Sequence, residues 1–239
     1  MTTDPTHDEQ VREYFDTRVA DYDAFYEEPS SFGRWFNRVF RQPVYQRRDQ
    51  VLTLARRYGC KSVLDVGCGS GRNTVWWARQ GIEELFGVDV AAEMIEKASL
   101  VAAQAGVADR CRFELGDFIR QEPTRKYDMV VACGVFDYVQ DALGFLRHMA
   151  RFADRVVYGS FPGWTLVRSP LRKIRYALRG CPTHFYRRSE LERLFAAVGF
   201  GPIELLHSSA GHLAWAANPR LGTLPEASQS TPGAVPVDG

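Results

Sequence analysis

The sequence predicts an α/β fold: a doubly wound, mostly parallel seven-stranded sheet preceded by helices and carrying a basic insertion after the fifth strand. Three observations predict it. Short β-favouring runs alternate with helix-period stretches from Lys61 to Ala217, the pattern of parallel β-α-β units with right-handed crossovers. Val63-Leu64-Asp65-Val66-Gly67-Cys68-Gly69-Ser70-Gly71-Arg72-Asn73 reads as a strand meeting an acid, then three alternating glycines, then a helix. Gly87-Val88-Asp89-Val90 is a second strand that ends in an acid.

The elements follow in order. Residues 1–7 are polar and expected to fray. From Asp8, the residues Val11, Tyr14, Phe15, Val19, Tyr22, Phe25 and Tyr26 recur at helical spacing, giving a helix with an aromatic face. Pro29 to Gly33 reads as a loop. A second apolar segment, with Trp35, Phe36, Val39 and Phe40, is expected to end or kink at Pro43. The next helix spans about Val44 to Tyr58, with Val51, Leu52 and Ala55 inward and Gly59 as its stop. The core strands are expected at Ser62–Val66, Leu85–Val88, Cys111–Leu115, Asp128–Ala132 and Arg155–Tyr158. Between them, helices run from about Gly71 to Gln80, through Ala91, Met94, Ile95 and Ala98 to about Ala105, and through Leu143, Leu146 and Met149. Ser189 and Glu192 read as a capping box opening a helix to Val198. Strands at Pro202–Leu206 and His212–Ala217 complete the sheet, and Arg220 to Gly239, rich in proline, reads as a disordered tail. The expected divisions are 1–58, 59–218 with the insertion at about 161–188, and 219–239.

Composition narrows the class. Lys plus Arg number 30 against 29 Asp plus Glu, a net charge of +1, so no global charge argues for a nucleic-acid partner. The five cysteines, Cys60, Cys68, Cys111, Cys133 and Cys181, form no C-x-x-C pair and read as reduced structural thiols. No apolar run approaches the roughly 20 residues of a membrane span, and a cytoplasmic protein is expected.

The glycine stretch carries the chemistry. Glycines there permit positive φ and close approach of a ligand to the main chain, and the N–H groups opening the following helix face into the turn. An acid ending the second strand is placed to hold ribose hydroxyls. Asp65, Asp89, Asp117 and Cys133 all fall at or just past strand ends, where ligands of such sheets bind. A nicotinamide dinucleotide is the rival ligand, but its G-x-G-x-x-G fingerprint needs a glycine where Arg72 stands.

These residues resemble the class I S-adenosylmethionine-dependent methyltransferases, of the small-molecule type. Asp65 to Gly71 is similar to the family's Asp-x-Gly-x-Gly-x-Gly motif, and Asp89 to its ribose-binding acid. Leu115-Gly116-Asp117-Phe118 resembles its adenine-contacting segment, and Tyr127 to Cys133 its fourth strand. The resemblance implies the class I methyltransferase fold with an antiparallel last strand, an N-terminal helical cap over the cleft and a helical lid. It implies S-adenosyl-L-methionine as cofactor and S-adenosyl-L-homocysteine as product. The cofactor residues it implies are Tyr22, Asp65, Gly67, Cys68, Gly69, Gly71, Asp89, Val90, Met94, Asp117, Phe118 and Cys133. Tyr22 would meet the carboxylate end, Asp117 the adenine amine, and the Cys133 carbonyl the amino group. Phe118 would give a backbone donor or an apolar flank. Met94 reads equally as a pocket wall or a core methionine.

Methyl transfer is an in-line displacement that needs alignment in a dry pocket, and a base only where the acceptor must lose a proton. No residue is assigned as catalytic; His184, Tyr138 and His212 are candidates, with His207 and Tyr186 nearby in sequence, and no metal is expected. The insertion carries Arg168, Arg172, Lys173, Arg175, Arg179, Arg187 and Arg188 with no acid from Gly159 to Ser189. It reads as a solvated face, as a lid for an anionic substrate, or as a peripheral membrane contact. The expected partner is a small-molecule acceptor, methylated on O or C, such as a tetrapyrrole or quinone-type compound. The arrangement of cap, core and lid is similar to magnesium-protoporphyrin O-methyltransferases. The Asn/Asp-Pro-Pro-Tyr motif of nucleic-acid N-methylation is absent after strand 4, where Cys133-Gly134-Val135-Phe136 stands. A non-catalytic cofactor-binding accessory protein and a nicotinamide oxidoreductase are the alternatives.

Overall fold

The computed structural model describes residues 31–163, 184–208 and 211–221. The expected first helix with Tyr22, most of the basic insertion, Cys181 and nearly all of the tail lie outside them. Helix α1 spans Ser31–Arg57. The core then alternates β1 (Ser62–Val66), α2 (Arg72–Arg79), β2 (Glu84–Asp89), α3 (Ala92–Gln104), β3 (Cys111–Leu115), β4 (Tyr127–Ala132), α4 (Ala142–Phe152) and β5 (Ala153–Pro162). Helix α5 (Arg188–Ala196), β6 (Glu204–Ser208) and β7 (Gly211–Ala217) follow the insertion.

The strands form one seven-stranded sheet in the order β3-β2-β1-β4-β5-β7-β6. β1 to β5 pair in parallel, and β7 runs antiparallel to both β5 and β6. The expected α/β architecture is therefore present. Its connections reverse at β1: α2 and α3 carry the chain outward to β3, and the next crossover returns to β4 on the other side. The carboxyl ends of β1 and β4 thus flank the switch point, where open α/β sheets bind ligands.

Period-2 alternation builds a core on each face. Met129 and Val131 pack with Leu54, Ala55, Trp77 and Ala102 on one side. Val130 and Ala132 pack with Leu146, Met149, Leu191 and Phe195 on the other. β1 is buried along its whole length, which is why Val63–Val66 reads as an apolar run broken only by Asp65.

Three local expectations need correction. α1 runs unbroken from Ser31 through Pro43, so Ser31 to Gly33 is helix and not loop. Proline at position 43 removes one donor from the ladder; burial of Val51, Leu52, Leu54 and Ala55, and a hydrogen bond from Trp77 Nε1 to the Arg48 carbonyl at 2.9 Å, hold the following turns on the core. The Ser189 capping box does not form: α5 starts at Arg188 with Arg187 as N-cap and no side-chain cap, while Glu192 pairs with Arg188 at 2.9 Å. The buried Tyr186, whose N–H donates to the Pro162 carbonyl at 2.9 Å, sets that earlier start. Finally, β5 extends to Pro162 and β6 is Glu204–Ser208, both displaced from the expected bounds.

The amino ends of the strands are clasped by Asp128. Its Oδ2 accepts from the main-chain N–H of Lys61 (2.8 Å) and Ser62 (2.9 Å), and its Oδ1 from Arg155 Nε (3.1 Å). Burial alone would raise the Asp128 pKa, but these bonds outweigh it and hold the carboxyl below its ordinary value. A depressed acid contributes stability above its unfolded pKa near 3.9, lost as pH falls through the folded value. Asp128→Ala is expected to cost about 2–3 kcal/mol at pH 7 and less as the pH falls below about 3.9, measured by urea unfolding across an acid series.

Candidate functional site

The residues after β1 form the floor of the switch-point crevice. Gly67, Gly69 and Gly71 all take positive φ, at 69°, 52° and 68°. Gly67 and Cys68 donate their N–H groups to the Val88 carbonyl, at 2.8 and 3.1 Å, which locks the loop onto β2. The three glycines have different surroundings. A β-carbon on Gly67 would strike Val135 Cγ2 at 2.5 Å, and one on Gly71 would lie 2.7 Å from Ala98 Cβ and 2.9 Å from Phe113 Cζ. One on Gly69 would meet nothing within 4 Å among the described residues. Gly67 and Gly71 are required by packing; Gly69 presents bare main chain to open space.

Asp89, last residue of β2, is oriented before any ligand arrives. Its Oδ2 accepts from Gly69 N–H at 2.8 Å and its Oδ1 from Ala91 N–H at 3.0 Å. Val90 beside it is partly exposed, and Met94, on the first turns of α3, is buried. Asp117 caps the short 3-10 turn Phe118–Arg120, with Oδ1 accepting from Ile119 N–H at 3.2 Å and Oδ2 paired with Arg120 at 3.1 Å. The ring of Phe118 turns into the core against Phe145, His148 and Phe152, so it offers no apolar flank to a ligand. An aromatic side chain beside a strand end reads the same in sequence whether it faces cleft or core.

Asp65 lies beneath the loop, 1% exposed, its Oδ2 accepting from Thr74 Oγ1 at 2.6 Å. Burial raises its pKa to about 7; the Thr74 bond acts against the rise and the Asp89 charge adds to it. A raised acid contributes stability that is full below its unfolded pKa near 3.9 and lost as pH rises through the folded value. Ligand-free protein is expected to lose up to about 1.4 kcal/mol per pH unit between about pH 4 and pH 7 from this group. Asp65→Asn is expected to remove that slope in a pH series of denaturant unfolding curves.

Opposite, Cys133 and Gly134 follow β4, and Gly134 donates its N–H to Ser160 Oγ at 2.8 Å. Burial pushes the Cys133 thiol well up, with the Asp65 charge adding, so it is no nucleophile. Arg47 of α1 reaches this spot: its Nη1 would lie 3.1 Å from a β-carbon on Gly134, and its charge acts on Cys133 and Tyr158. The Arg47 Nε is enclosed with no hydrogen-bond partner among the described residues. Sequence reasoning missed Arg47, which no local pattern marks among the five arginines from Arg38 to Arg56.

The acceptor-side candidates are only partly brought together. His184 donates its main-chain N–H to the Asp137 carbonyl at 3.3 Å, placing it beside Tyr138 on the loop after β4. Tyr186 donates its hydroxyl to the Phe136 carbonyl at 3.3 Å, and burial pushes its pKa up. His212, on β7, is the register partner of Phe161 at the carboxyl end of β5, where the Pro162 carbonyl holds Tyr186, and its ring lies 5.3 Å from that of His207. Burial, then the His207 and Arg188 charges, lowers its pKa. Tyr22 lies outside the described residues. Among those described, no group of three or more His, Cys, Asp or Glu is gathered to hold a metal.

Residues 30–205 match the model of the family described as "Methyltransferase domain". A probable tocopherol O-methyltransferase, chloroplastic, from Oryza sativa subsp. japonica is 30% identical over 94 residues, 39% of this chain and 26% of that protein. The ubiquinone biosynthesis O-methyltransferase of Neisseria meningitidis serogroup A is 35% identical over 156 residues, 58% of this chain and 63% of that protein. The chain thus spans from about a quarter to under two thirds of these curated relatives. Among solved structures, the magnesium protoporphyrin IX methyltransferase of Synechocystis PCC 6803 with bound SAH superposes with a TM-score of 0.71. It is 22% identical, covering 87% of this chain and 98% of that one, a likeness of fold.

Proposed function

The chain belongs to the methyltransferase-domain family, and from that membership we propose that it binds S-adenosyl-L-methionine and methylates a small molecule. The observation that carries this reading is the Asp89 carboxylate, fixed by the Gly69 and Ala91 N–H groups beside the open face of Gly69. The Asp89 carboxylate is an acceptor suited to ribose hydroxyls, in charge-assisted bonds. The bare main chain from Gly67 to Gly71 admits the amino-acid end of the cofactor, with the Cys133 carbonyl for its ammonium and Arg47 for its carboxylate. Asp117 would take the adenine amine, and Val90 and Met94 border the base. When bound, the cofactor supplies a methyl group on an electron-poor sulfonium.

The chain's own task is then alignment and exclusion of water. The loop after β4 and the segment His184–Tyr186 are bonded to each other and border the acceptor side. Tyr138 and His184, with His212 at the Phe161–Gly163 end of β5, are the candidates to orient a hydroxyl or receive its proton. The relatives are named for tocopherol, ubiquinone biosynthesis and magnesium protoporphyrin IX, and the balanced net charge suits a small acceptor, not nucleic acid. A cytoplasmic site of action belongs to the same proposal; among the described residues no helix is long and apolar enough to cross a membrane.

Isothermal titration with S-adenosyl-L-homocysteine, with NAD in parallel, tests the cofactor. Micromolar binding of the homocysteine compound alone is expected, and binding of NAD alone would overturn the reading. Transfer of labelled methyl to a panel of phenols and carboxylic acids then separates an enzyme from a cofactor-binding accessory protein.

A further inference from the structure

The turn that would meet the adenine is held from behind by a histidine that the proposed chemistry does not use. His148 of α4 is 9% exposed. Its Nε2 lies 2.9 Å from the Phe118 carbonyl oxygen, and its Nδ1 lies 3.4 Å from Arg151 Nη1. A carbonyl cannot donate and a guanidinium cannot accept, so the ring carries its proton on Nε2 and accepts through Nδ1. Arg151 is held in turn by Glu122, with which it forms an ion pair. The imidazole also meets the Phe118 ring edge-on, centroids 4.9 Å apart, and the Phe152 ring at 5.2 Å.

From this chain of contacts, Glu122 to Arg151 to His148 to Phe118, we propose that His148 is a positioning residue for the adenosine end of the cofactor. The inference rests on the cofactor assignment above. The Phe118 carbonyl also accepts from Gln121 N–H at 3.1 Å, within the turn itself. Loss of the imidazole donor therefore strands no buried acceptor, and the fold has little need of it. What the donor adds is a tie between Asp117–Phe118 and α4, an element anchored in the core by Leu146 and Met149. Second-layer hydrogen bonds of this kind fix the orientation of residues that touch a ligand.

The test titrates S-adenosyl-L-homocysteine and, separately, adenosine into the full chain and its variants, with melting temperature alongside. His148→Phe keeps the ring and removes the donor; His148→Gln restores a donor near Nε2. Both ligands are expected to bind about tenfold more weakly to His148→Phe at a melting temperature within a few degrees of wild type, and His148→Gln is expected to recover most of the loss. Arg151→Ala, at the surface, frees the other tautomer and is expected to weaken both ligands by about threefold. It decides the matter should His148→Phe fail to fold. Unchanged adenosine binding in the variants, or a loss confined to the homocysteine compound, would overturn the proposal. Wild-type protein that binds neither ligand would defeat the cofactor assignment itself.

Discussion

Asp89→Ala is expected to weaken S-adenosyl-L-homocysteine binding by at least about a hundredfold. Two charge-assisted bonds to ribose are lost, each contributing about 1.5–3 kcal/mol. The same substitution removes the acceptor for Gly69 N–H and Ala91 N–H, so the glycine loop loses its tie to the start of α3. Gly69 is partly exposed, so water can replace its acceptor, but Ala91 is fully buried and its N–H loses that partner. The stability cost is expected to be about 1–3 kcal/mol, chiefly from the Ala91 N–H, and the binding loss exceeds it. Asp89→Asn separates the two roles. Its amide supplies one acceptor, but its NH2 faces a main-chain N–H at either Gly69 or Ala91, so donor meets donor. The Asn variant is expected to bind about as poorly as Ala and to be no more stable. Titration calorimetry with matched melting curves checks both, and tight binding by either variant would remove Asp89 from the site.

Local signals made the core of this fold legible, and long-range ones were not. The strand ends at Val66 and Asp89 could be placed because β-favouring runs stop at glycine or an acid, and the register aligns them with Ala132: Val66 pairs with Val88 and Ala132, and Asp89 with Leu115. Pro43 misled because a proline's local cost is small against the burial of the turns that follow it. Ser189 and Glu192 have capping-box spacing, yet the anchoring of Tyr186 outweighed a cap contributing about 1 kcal/mol. Arg47 on Gly134, His148 behind Phe118 and Asp128 beneath Ser62 join residues 30 to 87 positions apart. Nothing in the neighbourhood of either partner announces such a contact. Legibility in this chain ends where a residue's role is set by a partner distant in sequence.

The glycine ladder shows the same division within five residues, and it yields the largest expected effect on stability. Gly71→Val is expected to destabilise the protein by about 3–5 kcal/mol, through a β-branched side chain forced to φ near 68° and steric conflict. The conflict is with Ala98 and Phe113, at 2.7 and 2.9 Å from the first added carbon, and both belong to elements whose own packing leaves little room to yield. Gly71→Ala is expected to cost about 2 kcal/mol on the same grounds. Gly69→Ala is strained by its φ of 52° alone, for about 1 kcal/mol, because its β-carbon meets nothing. The order reverses for the ligand. The methyl of Gly69→Ala stands on the open face where the cofactor would approach the main chain, so affinity is expected to fall by tenfold or more in a protein that still melts near the wild-type temperature. Gly71→Ala, where folded, is expected to bind within a few-fold of wild type. Urea unfolding and S-adenosyl-L-homocysteine titration of the two alanine variants side by side give the test. Equal stability losses would mean that Gly71 has room to relax, and equal affinity losses that the ligand does not approach across Gly69.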